Sequence, residues 1–150
     1  MREIRKSALV GYSAERVFDL IDAAERYPEF LPWCAAATIL ERNEQLVSAR
    51  LKVDYHGIRL NFTTRNDKRR PEFMAIRLAE GPFRRFEGEW HLVPLAPDAC
   101  KIDFALRYEL ENALARLASP VFDRIANTLV DAFVARAKQV YGGTPGWPAG

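Results

Sequence analysis

Hydrophobic residues recur at three- and four-residue steps over the last long stretch of the chain, from about residue 113 to residue 141. The repeating positions are Ala118, Phe122, Ile125, Leu129, Phe133, Ala137 and Val140. This spacing predicts one amphipathic helix with an apolar stripe that must be covered. Ser119-Pro120 fits an N-cap and a first-turn proline, so a restart or kink is expected there. Gly142-Gly143 should end the helix.

The chain before this helix alternates apolar and polar residues, a pattern typical of β-strands. A first strand is predicted over residues 2–10, followed by a helix that begins after Ser13 and runs to about Glu25. Six further strands are predicted at 37–42, 46–55, 58–65, 73–79, 86–93 and 100–108. His56-Gly57 and Gly81-Pro82 supply turns, and residues 65–71 are predicted to be a charged loop.

This order of elements predicts an α+β helix-grip fold, in which a curved antiparallel sheet wraps around the long C-terminal helix and a cavity can open between them. The chain length of 150 residues and its 49% hydrophobic residues suit one domain with a substantial core. We assign that domain to residues 1–142. The Gly- and Pro-rich segment 143–150 is predicted to be a disordered tail.

The inward-facing strand positions, assigned by alternation, carry no carboxylate, lysine or imidazole group. Acid–base catalysis needs such a group in the cavity, and Glu89 and His91 have outward parity, so catalysis is disfavoured. A one-residue bulge could reverse that parity. The alternation also leaves open whether the interior is a solid core or a lined cavity; Gly88 favours room inside, because a side chain is missing there. Tyr55, Thr64 and Tyr108 are the inward hydroxyl groups.

Two Pro-containing loops carry aromatic residues, Phe30-Leu31-Pro32-Trp33 and Gly81-Pro82-Phe83. The first belongs to the segment from Tyr27 to Trp33, in which Pro28 and Pro32 predict the absence of a regular element. Either loop could pack against the core, or form the mouth of an apolar site or a partner-binding patch. Both interpretations stay open from the sequence alone.

The net charge of +2, from 22 basic and 20 acidic residues, is too small to indicate nucleic-acid binding by itself. Basic residues are nevertheless concentrated at two predicted turns, which could lie at one end of the sheet. They are Lys68, Arg69, Arg70, Arg84 and Arg85, with Arg65 nearby. A solvated loop is the default interpretation, and phosphate contacts are the functional one.

Cys34 and Cys100 have apolar neighbours and are expected to be buried, reduced thiols, although a single disulfide is not excluded by the sequence. His56 and His91 show no metal-ligand spacing with them, so no metal site is expected. There is no apolar run of the ~18 residues that a spanning helix needs. Without a signal-peptide pattern either, a cytoplasmic location is expected.

Several segments together resemble the RatA and coenzyme Q-binding family of START-like (polyketide cyclase/dehydrase and lipid transport) proteins. The resemblance begins with Val17-Phe18-Asp19-Leu20-Ile21 and is most specific in Tyr27-Pro28-Glu29-Phe30-Leu31-Pro32-Trp33-Cys34. Later segments agree, namely Phe62-Thr63-Thr64-Arg65, Gly81-Pro82-Phe83, Gly88-Glu89-Trp90, Asp131-Ala132-Phe133 and Arg136-Ala137. The resemblance covers residues 1 to about 142.

The resemblance implies a START-like fold and a non-enzymatic protein that binds a hydrophobic small molecule such as ubiquinone, with no other cofactor and no metal. For RatA proteins it also implies a toxin that binds the large ribosomal subunit and blocks subunit joining, with a small antitoxin protein as a further partner. The alternative is a polyketide cyclase-like or hydrolase enzyme that uses the same cavity. The expected ligand-binding residues are Phe30, Leu31, Trp33, Tyr55, Phe62, Phe83, Phe86, Trp90, Phe104, Tyr108, Leu129 and Phe133. Ribosomal RNA is expected to contact Lys68, Arg69, Arg70, Arg84 and Arg85.

Overall fold

A computed structural model of the chain describes residues 2–142, with the backbone alone for residues 112–115. The predicted tail, 143–150, lies outside the described residues. Seven strands and two α-helices follow one another in the order β1, α1, β2 to β7 and α2, with a short 3₁₀ helix between α1 and β2. Their bounds are β1 Arg2–Val10, α1 Ala14–Asp22, the 3₁₀ helix Ala24–Glu29, β2 Cys34–Arg42, β3 Leu46–Tyr55, β4 Ile58–Arg69, β5 Phe73–Glu80, β6 Phe83–Ala96, β7 Ala99–Leu110 and α2 Asn112–Tyr141.

The seven strands form one antiparallel sheet in the order β1-β7-β6-β5-β4-β3-β2. Strands β2 to β7 are joined as a meander, and β1 adds to the free edge of β7. The sheet curves around α2, which confirms the predicted helix-grip architecture. His56 and Gly57 form the β3–β4 turn with φ angles of 48° and 80°, the left-handed region that a two-residue hairpin turn of this kind requires.

The buried stripe of α2 follows the predicted positions over most of its length. Ala118, Phe122, Ile125, Phe133 and Ala137 are buried, and Leu129 is partly buried. The prediction was wrong at the last position, because the side chain of Val140 is 48% exposed. The final step of the stripe leads to Tyr141 instead, whose ring lies 5.8 Å from that of Tyr12.

Two local predictions about α2 and α1 also need correction. The helix α2 continues through Pro120 without restarting at Ser119. Helix α1 has the predicted Ser13 cap, whose hydroxyl accepts a hydrogen bond from the Arg16 amide, but it ends at Asp22 and not at Glu25. The 3₁₀ helix then takes in Pro28, in a region expected to be irregular. A short 3₁₀ turn needs few backbone donors, so it tolerates a proline.

The segment 65–71, predicted to be a charged loop, is mostly strand. Strand β4 continues to Arg69 because its backbone pairs with a neighbour on both sides: Asp67, for example, lies opposite Leu46 of β3 and Ala75 of β5. The charged side chains at these positions do not break the strand, since alternate ones point to opposite faces of the sheet. Strand β6 likewise begins at Phe83, earlier than predicted.

Cys34 on β2 and Cys100 on β7 are both buried and form no disulfide. This confirms the expectation of buried, reduced thiols. Burial raises the pKa of each thiol to about 11. The thiols are therefore protonated near neutral pH and are poor nucleophiles or metal ligands.

Candidate functional site

An apolar cavity of about 80 Å³ lies between the concave face of the sheet and α2. It is walled by side chains from β3 to β7, by α2, and by the 3₁₀ helix and the loop that follows it. The lining residues are Ala24, Tyr27, Trp33, Ala49, Leu51, Phe62, Thr64, Asn66, Met74, Ile76, Phe86, Trp90, Phe104, Leu106, Phe122, Ile125, Ala126, Leu129 and Phe133. The interior thus contains a lined space as well as a packed core.

Phe133 is the centre of the aromatic cluster at one side of this cavity. Its ring lies 5.2 Å from Trp90, 5.1 Å from Phe30 and 5.5 Å from Tyr27, in edge-to-face arrangements. The ring of Phe104 packs on Trp90 from the sheet side at 4.5 Å. Such contacts fix the rings that surround the space, because aromatic pairs favour these geometries.

Seven of the twelve predicted ligand-binding residues line the cavity: Trp33, Phe62, Phe86, Trp90, Phe104, Leu129 and Phe133. They come from the loop before β2, from three inner strands and from α2. The structure therefore brings together residues that are up to 100 positions apart in the chain.

The other five predicted residues do not line the cavity. Phe83 and Leu31 are buried in the surrounding core, and Phe30 packs behind Phe133. Tyr55 is at the end of β3, with its ring against His56. Tyr108 is fully buried, but its hydroxyl donates to the carboxylate of Asp123 on α2. Inward parity alone does not place a residue at the cavity, since some inward side chains fill the contact between sheet and helix.

Several cavity residues are absent from the predicted set. Tyr27 lies in the 3₁₀ helix, where the two prolines favour an irregular loop. Asn66 lies in the part of β4 that the charge pattern predicts to be a loop. Extending the alternation of β4 by one more step beyond Thr64 places Asn66 on the inner face.

Gly88 does not create room inside, so that prediction was wrong. A Cβ atom at Gly88 would lie 2.6 Å from the carbonyl oxygen of Ala105 and 3.2 Å from Cδ1 of Leu106. Strand β7 therefore occupies the space that the missing side chain leaves. Glycine is needed here because the two strands approach closely.

The apolar loop 30–33 and the 3₁₀ helix cover the cavity. Leu31 and Trp33 are buried, so the packing interpretation of this loop holds for both residues. Arg136 of α2 fixes the cover from outside: its guanidinium lies 5.0 Å from the ring centre of Phe30 and donates to Glu29 at 2.6 Å. The other loop contributes Phe83 to the core, 5.2 Å from Phe122.

Polar groups are few on the cavity wall. The Tyr27 hydroxyl donates to the carbonyl of Ile21, and burial raises the pKa of Tyr27 far above its ordinary value. Thr64 and Asn66 lie two residues apart on the inner face of β4 and form the polar part of the lining. No carboxylate, imidazole or ammonium group lines the cavity among the described residues.

Glu89 and His91 lie on the outer face of the sheet, as their parity predicts. The pairing of β6 with β5 and β7 is regular from Glu87 to His91, so no bulge reverses their direction. Glu89 accepts two hydrogen bonds from Arg107, at 3.0 and 2.7 Å, and these lower the pKa of Glu89. The carboxylate belongs to a surface ion pair.

The basic residues expected to form one surface do not lie together. Residues 70–72 form the turn before β5 and residues 81–82 the turn after it, so the two clusters are separated by the length of an eight-residue strand, about 26 Å. Lys68 is not on the surface at all. Its side chain is 5% exposed and its ammonium group contacts both oxygens of Asp22 at 3.1 Å.

The remaining basic residues of the two clusters are exposed, but they already contact other residues of the chain. Arg70 donates to both carboxylate oxygens of Asp19, and Arg85 donates to Glu87. Arg69 lies over the ring of Phe73 at 5.0 Å, and Arg84 is exposed at the start of β6.

A second basic surface lies outside the predicted set. Arg50 and Lys52 point outward from β3 and are exposed, beside Thr63 and Asn61 of β4 and Thr38 of β2. Neither is in an ion pair with any part of the chain that the structure describes. Alternation marks both residues as outward, but two basic residues within a strand do not stand out as a charge cluster in the sequence.

Two further expectations concern metals and membranes. Within residues 2–142, no three His, Cys, Asp or Glu side chains are grouped closely enough to hold a metal ion. The helices in the same range are too short or too polar to span a bilayer.

A curved sheet that grips a long helix around an apolar cavity defines a START-like protein. A family model described as polyketide cyclase/dehydrase and lipid transport matches residues 10–134, so the chain belongs to this family, as a RatA-type member. It is 42% identical over 140 residues to "Ribosome association toxin RatA" of Pseudomonas aeruginosa, covering 93% of this chain and 97% of the relative.

Two more distant relatives show how widely the fold is shared. The chain is 26% identical over 145 residues to "Coenzyme Q-binding protein COQ10 homolog B, mitochondrial" of Xenopus laevis, covering 93% of this chain and 59% of that protein. Its fold matches the crystal structure of the Zhui aromatase/cyclase of a Streptomyces species with a TM-score of 0.82 at 19% identity, over 95% of this chain and 99% of the other. That likeness shows the fold alone.

Proposed function

We propose that this protein binds a hydrophobic small molecule of the polyisoprenoid quinone or lipid class, without catalysing a reaction on it. The observation that carries the proposal is the cavity between sheet and α2, which is lined by aromatic and aliphatic side chains. Removal of an apolar ring from water into such a space is favourable without any charged contact. The partial likeness to a coenzyme Q-binding protein supports the ligand class.

The absence of carboxylate, imidazole and ammonium groups from the described lining supports binding over chemistry. A cyclase or hydrolase would need a proton donor or acceptor within reach of its substrate. The phenol of Tyr27 is the titratable group on the wall, and its proton is held by the Ile21 carbonyl. The enzyme alternative rests on a fold that hosts many activities.

Binding requires the cover to move. The cavity of about 80 Å³ is smaller than the roughly 150 Å³ of an engineered cavity that accepts benzene. The cover is held by the Arg136–Glu29 ion pair and the Arg136–Phe30 stack on the outside, and by the contacts of Tyr27 and Phe30 with Phe133 on the inside. Displacement of Tyr27 and Phe30 would enlarge the space toward the surface without disturbing the sheet.

Intrinsic fluorescence tests this proposal directly. Trp33 and Trp90 line the cavity, so a short-chain ubiquinone bound there should quench both; Trp147→Phe removes the third tryptophan of the chain as background. Ala126→Leu should weaken binding because Ala126 lines the cavity and is fully buried. Ala135→Leu, on the exposed side of the same helix, is the matched control. Quenching that is equal in the two leucine variants would locate the probe outside the cavity.

We further propose that the protein acts on ribosomes by binding the large subunit, so that subunit joining is blocked. Its likeness to RatA over nearly the whole of both chains supports this second function. Ribosome binding requires contact with a phosphate-rich surface. A toxin of this kind also implies a small antitoxin partner, which stays a prediction.

Arg50 and Lys52 are the better candidates for phosphate contact. Both are exposed, and within the described residues neither forms an ion pair that phosphate binding would have to break. The alternative is the two separate clusters, Arg69 with Arg70 and Arg84 with Arg85, without Lys68. Co-sedimentation with large subunits at increasing salt distinguishes these alternatives. Arg50→Glu/Lys52→Glu should weaken binding to the large subunit. It should also flatten the plot of log affinity against log salt concentration, by about one unit of slope for each phosphate that the variant no longer neutralises.

Arg69→Glu/Arg84→Glu is the comparison variant for this experiment. A stronger effect of the comparison variant would favour contact through the basic residues predicted from the sequence. No sedimentation of the wild type, even at low salt, would end the ribosomal proposal.

A further inference from the structure

The amide of Asn66 is the unusual polar group of the cavity wall. Asn66 lies on the inner face of β4, between Val47 of β3 and Ile76 of β5, and it lines the cavity. Its Oδ1 atom is buried and has no hydrogen-bond partner, which is true of no other buried side-chain nitrogen or oxygen in the described part of the chain. An acceptor left unpaired in the interior lowers stability, so it needs an explanation.

The nitrogen of the same amide is only weakly engaged. Nδ2 donates to the sulfur of Met74 at 3.7 Å, and a thioether is a weak acceptor on a flexible side chain. Neither end of the amide therefore has a strong hydrogen-bond partner. Such a partner must offer a donor to Oδ1 and can offer an acceptor to Nδ2.

Water fits this position poorly. A buried water is held by two to four polar partners, and apart from Asn66 the lining offers the hydroxyl groups of Thr64 and of Tyr27, which is already hydrogen-bonded to Ile21, so a water would reach only the lower end of that range. A ligand with an apolar ring can instead fill the apolar wall and bring its own hydroxyl to the amide. The same contact then buries the ring and satisfies the acceptor.

We propose that Asn66 anchors the polar end of the cavity ligand and selects a ring that carries a hydroxyl donor, a phenol or hydroquinone, over the corresponding quinone. A hydroquinone donates its O–H to Oδ1 and accepts from Nδ2 through a neighbouring oxygen. A quinone has only acceptors, so it leaves Oδ1 unpaired. A site built to hydrogen-bond a hydroxyl discriminates against the analogue that lacks it. This inference rests on the proposed function of the cavity.

Calorimetric titration of the wild-type protein with the reduced and the oxidised form of one short-chain ubiquinone, without oxygen, tests the selection. We expect the reduced form to bind about tenfold more tightly. Asn66→Leu should bring the two affinities together while the oxidised form still binds, and its Tm should rise because the unpaired acceptor is gone. Thr64→Val is the matched control, and it should keep the preference.

The outcomes separate this inference from the proposed function. If both forms bind the wild type equally, or if Asn66→Leu keeps the preference, the role of Asn66 is contradicted and the cavity proposal stands. The first comparison needs no variant, so it holds even if Asn66→Leu does not fold. If neither form binds, both proposals fall.

Discussion

Lys68 and Asp22 form an ion pair at the junction of β4 and α1, with the ammonium nitrogen 3.1 Å from each carboxylate oxygen. The two partners differ in their exposure to water: the Lys68 side chain is 5% exposed, and the Asp22 side chain is 22% exposed. The lysine depends on its partner because it has little contact with water, whereas the aspartate keeps some hydration. This relationship joins α1 to the sheet.

Removal of Asp22 should therefore cost more stability than removal of Lys68. Asp22→Leu leaves an unpaired buried ammonium group and should lower the free energy of unfolding by about 3 kcal/mol. Lys68→Met leaves a partly hydrated carboxylate and should cost less. The double variant should be more stable than Asp22→Leu alone, because it buries no charge. Urea denaturation measures all three, with Arg70→Met as a control for an exposed pair; decreases below about 0.5 kcal/mol for both single variants would contradict a buried pair.

Phe133 should be the most costly truncation on α2. It is 2% exposed and contacts the rings of Trp90, Tyr27 and Phe30, so Phe133→Ala should cost about 3–5 kcal/mol. Leu129→Ala should cost less than Phe133→Ala, because Leu129 is only partly buried and its side chain is smaller.

Val140→Ala is the matched control for these truncations, since Val140 is half-exposed on the same helix and should stay within about 0.5 kcal/mol of the wild type. Denaturant melts that gave Phe133→Ala and Val140→Ala similar costs would remove α2 from the core.

The two buried thiols predict a decrease of stability in alkali. Burial raises the pKa of Cys34 and Cys100 from 9.0 to about 11 in the folded chain. Between these values the unfolded chain releases thiol protons that the folded chain retains, so unfolding is favoured as the pH rises. Cys34→Ala/Cys100→Ala should therefore be less sensitive than the wild type to a rise from pH 8 to pH 10. Parallel pH profiles of the two proteins, measured by urea melts, would contradict the raised thiol pKa values.

Glu89 and His91 should not affect ligand binding in the cavity. Both lie on the outer face of the sheet, and Glu89 is held by Arg107. Glu89→Gln and His91→Gln should each leave quenching by a short-chain ubiquinone unchanged. An abolished reaction or a changed affinity in either folded variant would mean that the outer face takes part in function, and would revive the enzyme alternative.

Alternation and helical spacing predict the architecture because both depend on which face of an element is buried. Alternation fails where polar residues continue a strand: Asn66 and Lys68 point inward from β4, one beside the cavity and one to Asp22. Such residues have the composition of a loop, and the partner of Lys68, Asp22, lies 46 positions away in the sequence.

The cavity itself could be predicted only in part. The seven predicted residues that line it are large, inward-facing side chains from opposite walls. Tyr108 and Phe83 have the same character, yet they fill the contact between sheet and helix. Whether an inward residue borders the cavity depends on how distant parts of the chain pack together. At Gly88, for example, the space left by the absent side chain is filled by Ala105 and Leu106 of the next strand.

The most direct test of the central claim is to identify what the folded protein carries. Native purification, extraction with organic solvent and mass spectrometry should recover an apolar molecule of the quinone or lipid class from the wild type. Its amount should be close to one molecule per chain, and it should fall in Ala126→Leu but not in Ala135→Leu. Equal traces of lipid in all three proteins, combined with no quenching of Trp33 and Trp90 by added ubiquinone, would contradict a ligand-binding cavity.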